Sequence, residues 1–156
     1  MVRLSRLCKR TSGQAAMEFA LILPVLMLVI CGIMDFGLMF SSKVAITNAA
    51  REGARYATTH PTWSDWSGIQ TRVQNTAQPA TVPAGNIQIS YLNPGGSTIC
   101  GPWTIDSSHD LAGCLAAGNL IKIEVTHSYQ LLTPVLSNWG FPNGLTISST
   151  ATMVEE

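Results

Sequence analysis

The chain has 156 residues, nine Lys and Arg against nine Asp and Glu, and a formal net charge of zero. That length suits one small domain with an appendage and excludes a large multidomain enzyme, while zero net charge lacks the basic stripe of a nucleic-acid binder. Charged residues make up only 12% where about a quarter is typical, and mean hydropathy is +0.23, so part of the chain is unusually apolar.

The charge is unevenly placed. Residues 1–13 hold Arg3, Arg6, Lys9 and Arg10 and no acid, which leaves five basic and nine acidic groups on the 143 residues that follow, a formal balance of −4. A basic prefix before an apolar run reads as a targeting segment. From Gln14 to Phe40 the strongly polar residues are Gln14, Glu18 and Asp35. About 20 apolar residues suffice to cross the hydrocarbon core, and the basic prefix puts the N-terminus on the cytoplasmic side with the rest of the chain outside. An ordinary secretory signal fits poorly, because Met34-Asp35-Phe36-Gly37 is no small-residue cleavage site. A lipoprotein signal fits no better, with the bulky Ile30 before Cys31. A plain signal anchor remains the alternative.

The helical pattern continues past the membrane. Phe36 to Thr59 has no proline and is punctuated by Ala45, Ala49, Ala50, Ala54 and Ala57, good helix formers. A helix over 14–58 would span roughly 67 Å, about twice the hydrocarbon thickness. His60-Pro61 ends it, since a residue before proline avoids the α region. Pro24 is expected to kink the membrane half, with Gly32 and Gly37 as further weak points.

Gly13-Gln14-Ala15-Ala16-Met17-Glu18-Phe19 resembles the processing site of class III signal peptides, as in type IV pilins and pseudopilins. The run Ala15 to Pro24, Asp35-Phe36-Gly37 and Ala49-Ala50-Arg51-Glu52-Gly53-Ala54-Arg55 resemble the TadE-like family, pilin-like proteins of tight-adherence (Flp, type IVc) pilus systems; the likeness is close over residues 13–58. It implies cleavage between Gly13 and Gln14 by a prepilin peptidase on the cytoplasmic side, with the apolar helix retained. The same residues also read as a helix start, because Thr11 with Gln14 three residues on forms a capping box. The resemblance further implies that Glu18 pairs with the N-terminal amine of a neighbouring subunit and guides its entry into the filament. The plainer reading has Glu18 snorkel to the headgroups from one turn inside the membrane, avoiding a cost of about 2.5–3.5 kcal/mol at the bilayer centre.

Asp35 lies 17 residues after Glu18, about 25 Å along a helix, and reads as a charge marking the far membrane face, with a packing contact as its other reading. Arg51 and Arg55 share a helix face next to Glu52. A solvated face explains them, and the family resemblance tilts the reading toward packing against the head or a neighbour.

Residues 60–156 form an extracytoplasmic head of 97 residues, enough for a core of its own. A short helix is expected over 68–78, stopped by Pro79 and Pro83. Alternation predicts strands over 87–92, 120–129 and 145–154, giving an α+β, pilin-like head with a small antiparallel sheet whose strand order is not readable. Cys100 and Cys114 sit in the Gly- and Pro-rich link between the first two strands. Oxidising surroundings outside the membrane favour their pairing, closing a loop that contributes roughly 3 kcal/mol in the chain-entropy model. Cys31 in the span and Cys8 in the leader are not their partners.

No enzymatic constellation emerges. His60, His109 and His127 lack metal-site spacing, and there is no Walker loop, GxSxG or GxGxxG. Asp106, His109 and Asp110 read as a solvated turn, and Trp63, Trp66, Trp103 and Trp139 as core or loop fillers. No cofactor, metal or nucleic acid is expected. The expected function is that of a minor pilin or pseudopilin, stored in a bacterial or archaeal cytoplasmic membrane and used in building an adhesive pilus. Its expected partners are prepilin peptidase, other pilin-like subunits, the assembly machinery and membrane lipid. The alternatives are the principal filament subunit and an anchored binding protein that does not polymerise.

Overall fold

The computed structural model describes residues 12–59, 65–105, 114, 118–133, 138, 140 and 144–154. The basic leader with Cys8, His60-Pro61, Trp63, Asp106, His109, Asp110 and Trp139 lie outside the described residues.

Helix α1 runs over Ser12–Thr59 as one continuous α-helix with Pro24 inside it. Its 48 residues correspond to roughly 72 Å of rise. The two halves meet different surroundings. From Met17 to Met34 the large apolar side chains other than the half-buried Leu23 are exposed, whereas Ile46, Ala49, Ala50, Ala54 and Ala57 are buried, together with Gly53. Those buried positions recur every three or four residues, so they form one stripe on the helix.

Helix α2, Trp66–Thr76, lies against that stripe through Ile69 and Val73. It begins two residues earlier than the sequence pattern indicates, because Asp65 caps it. The Asp65 carboxylate accepts the Gly68 N–H at 3.0 Å and the Ser67 hydroxyl at 3.0 Å, which satisfies an otherwise orphaned donor of the first turn.

Four strands follow: β1 Ile87–Leu92, β2 Thr98–Thr104, β3 Leu120–Tyr129 and β4 Leu145–Val154. They form one antiparallel sheet in the order β2-β1-β3-β4. The fold is therefore α+β and pilin-like, a long apolar N-terminal helix followed by a small antiparallel sheet. Ile121, Ile123 and Val125 alternate with Lys122 and Glu124 on β3, so the apolar face turns to α1 while Lys122 and Glu124 pair at 3.5 Å on the other. Ile87, Ile89 and Tyr91 of β1 and Ala151 of β4 complete the core.

Strand β2 is the element the sequence pattern does not announce. Gly101-Pro102 interrupts its alternation, and the ladder to β1 carries register shifts. Proline lacks the ladder donor and belongs on an edge, which is where β2 sits. Gly101 has φ +88°, and a Cβ there would come within 2.7 Å of the Ile89 carbonyl oxygen. A glycine is therefore needed for the close approach.

Candidate assembly site

Apart from Cys100 and Cys114, the candidate residues of the sequence lie along α1, so the site is a helix surface rather than a cleft. At its foot, the Gly13–Gln14 bond falls in the first turn, where backbone N–H groups have no intrahelical acceptor. Space around Gly13 is open. Gln14 donates from Nε2 to Glu18 Oε1 at 3.2 Å, both side chains being exposed. Above Glu18 the helix is apolar on every side, and its length and composition suffice to cross a membrane. Pro24 is exposed within this stretch, and Cys31 is half-buried with a free thiol.

Asp35 is where the helix first meets the head. Its side chain is 4% exposed and accepts hydrogen bonds from the Leu132 N–H at 2.8 Å, the Thr133 N–H at 3.1 Å, the Thr133 hydroxyl, and the Tyr129 hydroxyl at 3.4 Å. An ionised carboxylate is acceptor-only and can take several donors, so the group matches its surroundings. It is thus more than a hydrated boundary marker: it ties the segment after β3 to the helix. A crevice opens beside it, lined by Gly32, Phe36, Met39, Tyr129, Leu131 and Leu145. Asp35 lies seven residues before the buried Ser42 and eleven before Ile46, so it extends the core stripe downward by two turns. Farther up, Lys43 Nζ donates to the Ser148 carbonyl, and Ser149 Oγ donates to Thr47 Oγ1 at 3.0 Å, fixing β4 along α1.

At the upper end, Arg51 and Arg55 are exposed. Arg55 grips Glu52 through two hydrogen bonds of 2.8 and 3.0 Å, and Arg72 of α2 approaches the same carboxylate at 3.9 Å. The Arg55 hydrogen bond, with the two guanidinium charges, holds Glu52 below the usual carboxylate range against the opposing effect of burial. Arg72 also lies 5.3 Å over the Tyr56 ring. The Tyr56 hydroxyl donates to Asp65 Oδ2 at 2.8 Å, and that bond, with burial, raises its pKa. Arg51 and Arg55 thus flank a helix–helix junction rather than enter it: Arg51 lines a shallow depression with Asn48, Thr76 and Met153.

Cys100 and Cys114 form a disulfide with Cα atoms 5.8 Å apart. It ties β2 to the segment before β3, and Cys114 is 2% exposed with its carbonyl accepting from Asn119 Nδ2 at 2.9 Å. Among the described residues no group of three or more His, Cys, Asp or Glu could hold a metal ion. The structure brings Asp35 together with 129–133, a pairing across nearly a hundred residues that no local signal in the sequence marks.

The family model described as TadE-like protein matches residues 13–55, the stretch from the first turn of α1 through the Glu52–Arg55 pair. No curated protein and no solved structure gives a significant match.

Proposed function

We propose that this chain is a pilin-like subunit of a tight-adherence pilus system, a minor pilin or pseudopilin. It is made with the leader 1–13, which prepilin peptidase removes between Gly13 and Gln14. Before assembly, α1 holds the protein in the cytoplasmic membrane with its head outside. During assembly α1 leaves the lipid for a bundle of like helices, where other pilin-like subunits cover it.

The observation that carries this reading is the division of α1, within the segment the TadE-like family model matches. The upper half is spent on the head's own core, while the lower half exposes apolar side chains all round. A helix of that kind needs a lipid or protein environment. Glu18 is the one carboxylate in the apolar stretch before Asp35, and its exposed side chain accepts from Gln14 Nε2. Pairing with a neighbour's amine in a low-dielectric bundle supplies register more than stability.

The test is Glu18→Ala. Membrane insertion and leader removal stay near wild type, while the subunit disappears from sheared pilus fractions. Normal incorporation of the variant would remove Glu18 from the mechanism.

A further inference from the structure

We propose that the segment 129–133 rides in the interfacial layer of the membrane on the head's side, with Leu132 as its lipid contact and Asp35 as the post that holds it there. The inference rests on the reading of α1 as a membrane anchor and adds a second point of attachment, made by the head.

Depth comes first. Glu18 and Asp35 are 17 residues apart, about 25 Å along the axis, against a hydrocarbon thickness of about 30 Å. With Glu18 at the cytoplasmic boundary, Asp35 stands at the opposite boundary or just inside it. A bare carboxylate held inside that boundary is disfavoured unless it reaches water or finds donors. Here it is buried and its acceptors are filled by Tyr129, Leu132 and Thr133. The head supplies those donors, so 129–133 reaches the same depth as Asp35. Two of the donors are backbone N–H groups, which lack water to bond with in lipid and so need a protein acceptor.

The chemistry of this side of the head agrees with the position. Leu132 is 67% exposed and Phe36 64% exposed, while Leu131 lines the crevice beside Phe36. The strand residues that adjoin this segment, Thr126 to Tyr129 on β3 and Leu145 to Ser148 on β4, include no Asp, Glu, Lys or Arg. The first cation on α1 beyond Asp35 is Lys43, eight residues on and about 12 Å farther along the helix, its ammonium donating to the Ser148 carbonyl; the exposed guanidinium groups of Arg51 and Arg55 follow 16 and 20 residues beyond Asp35, about 24–30 Å along. An apolar contact at the acyl–headgroup boundary with the first cation at headgroup height and the rest above it is the arrangement of an interfacial segment. Continuity with the membrane span singles out lipid as the occupant of this face.

The experiment places the photoreactive p-benzoylphenylalanine at Leu132 in the full chain, reconstituted in vesicles of phosphatidylethanolamine and phosphatidylglycerol. The same probe at Phe19 reports the span, and at Thr71, exposed on α2, the aqueous side. After illumination, intact mass reads lipid adducts. The expected yield at 132 approaches that at 19 and exceeds that at 71 several-fold. Adducts at 19 with only the Thr71 level at 132 would overturn the proposal and leave the anchor reading standing. Cross-linking of 132 to a second protein chain instead of lipid would overturn it too. Absence of adducts at 19 would refute the anchor and the proposal together. Asp35→Asn should lower the yield at 132 several-fold with the yield at 19 unchanged; undiminished labelling would refute the role of Asp35.

Discussion

At Gly53 α1 packs closely against α2, and replacing it tests the packing of the helix against the head. A Cβ built there lies 2.5 Å from Val73 Cγ2, 3.3 Å from Ile123 Cδ1 and 3.8 Å from Ile69 Cγ2. Two effects compete in Gly53→Ala. Helix propensity favours alanine by about 1 kcal/mol. Overpacking a filled core costs about 1–3 kcal/mol, and the valine methyl cannot swing away freely because its χ1 is restricted. The net is a change between about zero and 2 kcal/mol destabilising. Val73→Ala deletes two buried methyl groups, worth about 0.8 kcal/mol each, and leaves a cavity that raises the loss to about 2–3 kcal/mol. In the double variant the new methyl on α1 enters that cavity, so the two losses should not add. A favourable coupling of about 1–2 kcal/mol is expected. Urea unfolding of the full chain in detergent micelles, followed by tryptophan emission, reads each stability. Trp66 and Trp103, 6.4 Å apart against the core, are suitable reporters. Stabilisation by Gly53→Ala together with strict additivity in the double variant would refute the close approach.

The disulfide and the arginine cluster give two further predictions. Mass analysis of unreduced mature protein should find Cys100 and Cys114 blocked to alkylation, and reduction should lower the stability of the head by about 3 kcal/mol; alkylation of both without reductant would contradict the bridge. Glu52 has its folded-state pKa below the ordinary carboxylate value, so its contribution is present above that ordinary value and is lost as pH falls through the lowered one. Thermal unfolding should therefore show wild type losing more stability than Glu52→Gln between neutral and strongly acidic pH, with equal losses in both proteins counting against the pair.

Much of the architecture is legible in the sequence because it is local. The alanine-rich, proline-free stretch after Phe36 extends α1, and alternation alone marks β1, β3 and β4 at the bounds the structure gives. What escapes depends on distant partners or on a broken pattern. Gly101-Pro102 disguises β2, whose strand conformation is imposed by pairing with β1. The earlier start of α2 follows from Asp65 reaching forward to Gly68, a cap set between Trp63 and Trp66 in the sequence. Strand order depends on contacts across the whole head. For Asp35 the sequence does hold a clue: it lies on the same helix face as Ser42, Ile46 and Ala49, the stripe that turns inward. A polar residue on a buried stripe implies a polar partner, although nothing local identifies that partner as Leu132 and Thr133. The proposed processing role of Gly13 and Gln14 is legible only through resemblance, because a helix start and a cleavage site use the same letters.

The most direct measurement of the central claim is the N-terminus of the protein purified from the membranes and pili of its native cells, read by intact mass and N-terminal peptide analysis. The account predicts that the mature chain begins at Gln14 in both fractions, having lost Arg3, Arg6, Lys9 and Arg10 and retained the whole apolar helix. A chain that keeps residues 1–13, or one cut after the apolar run so that Glu18 is lost, would contradict it.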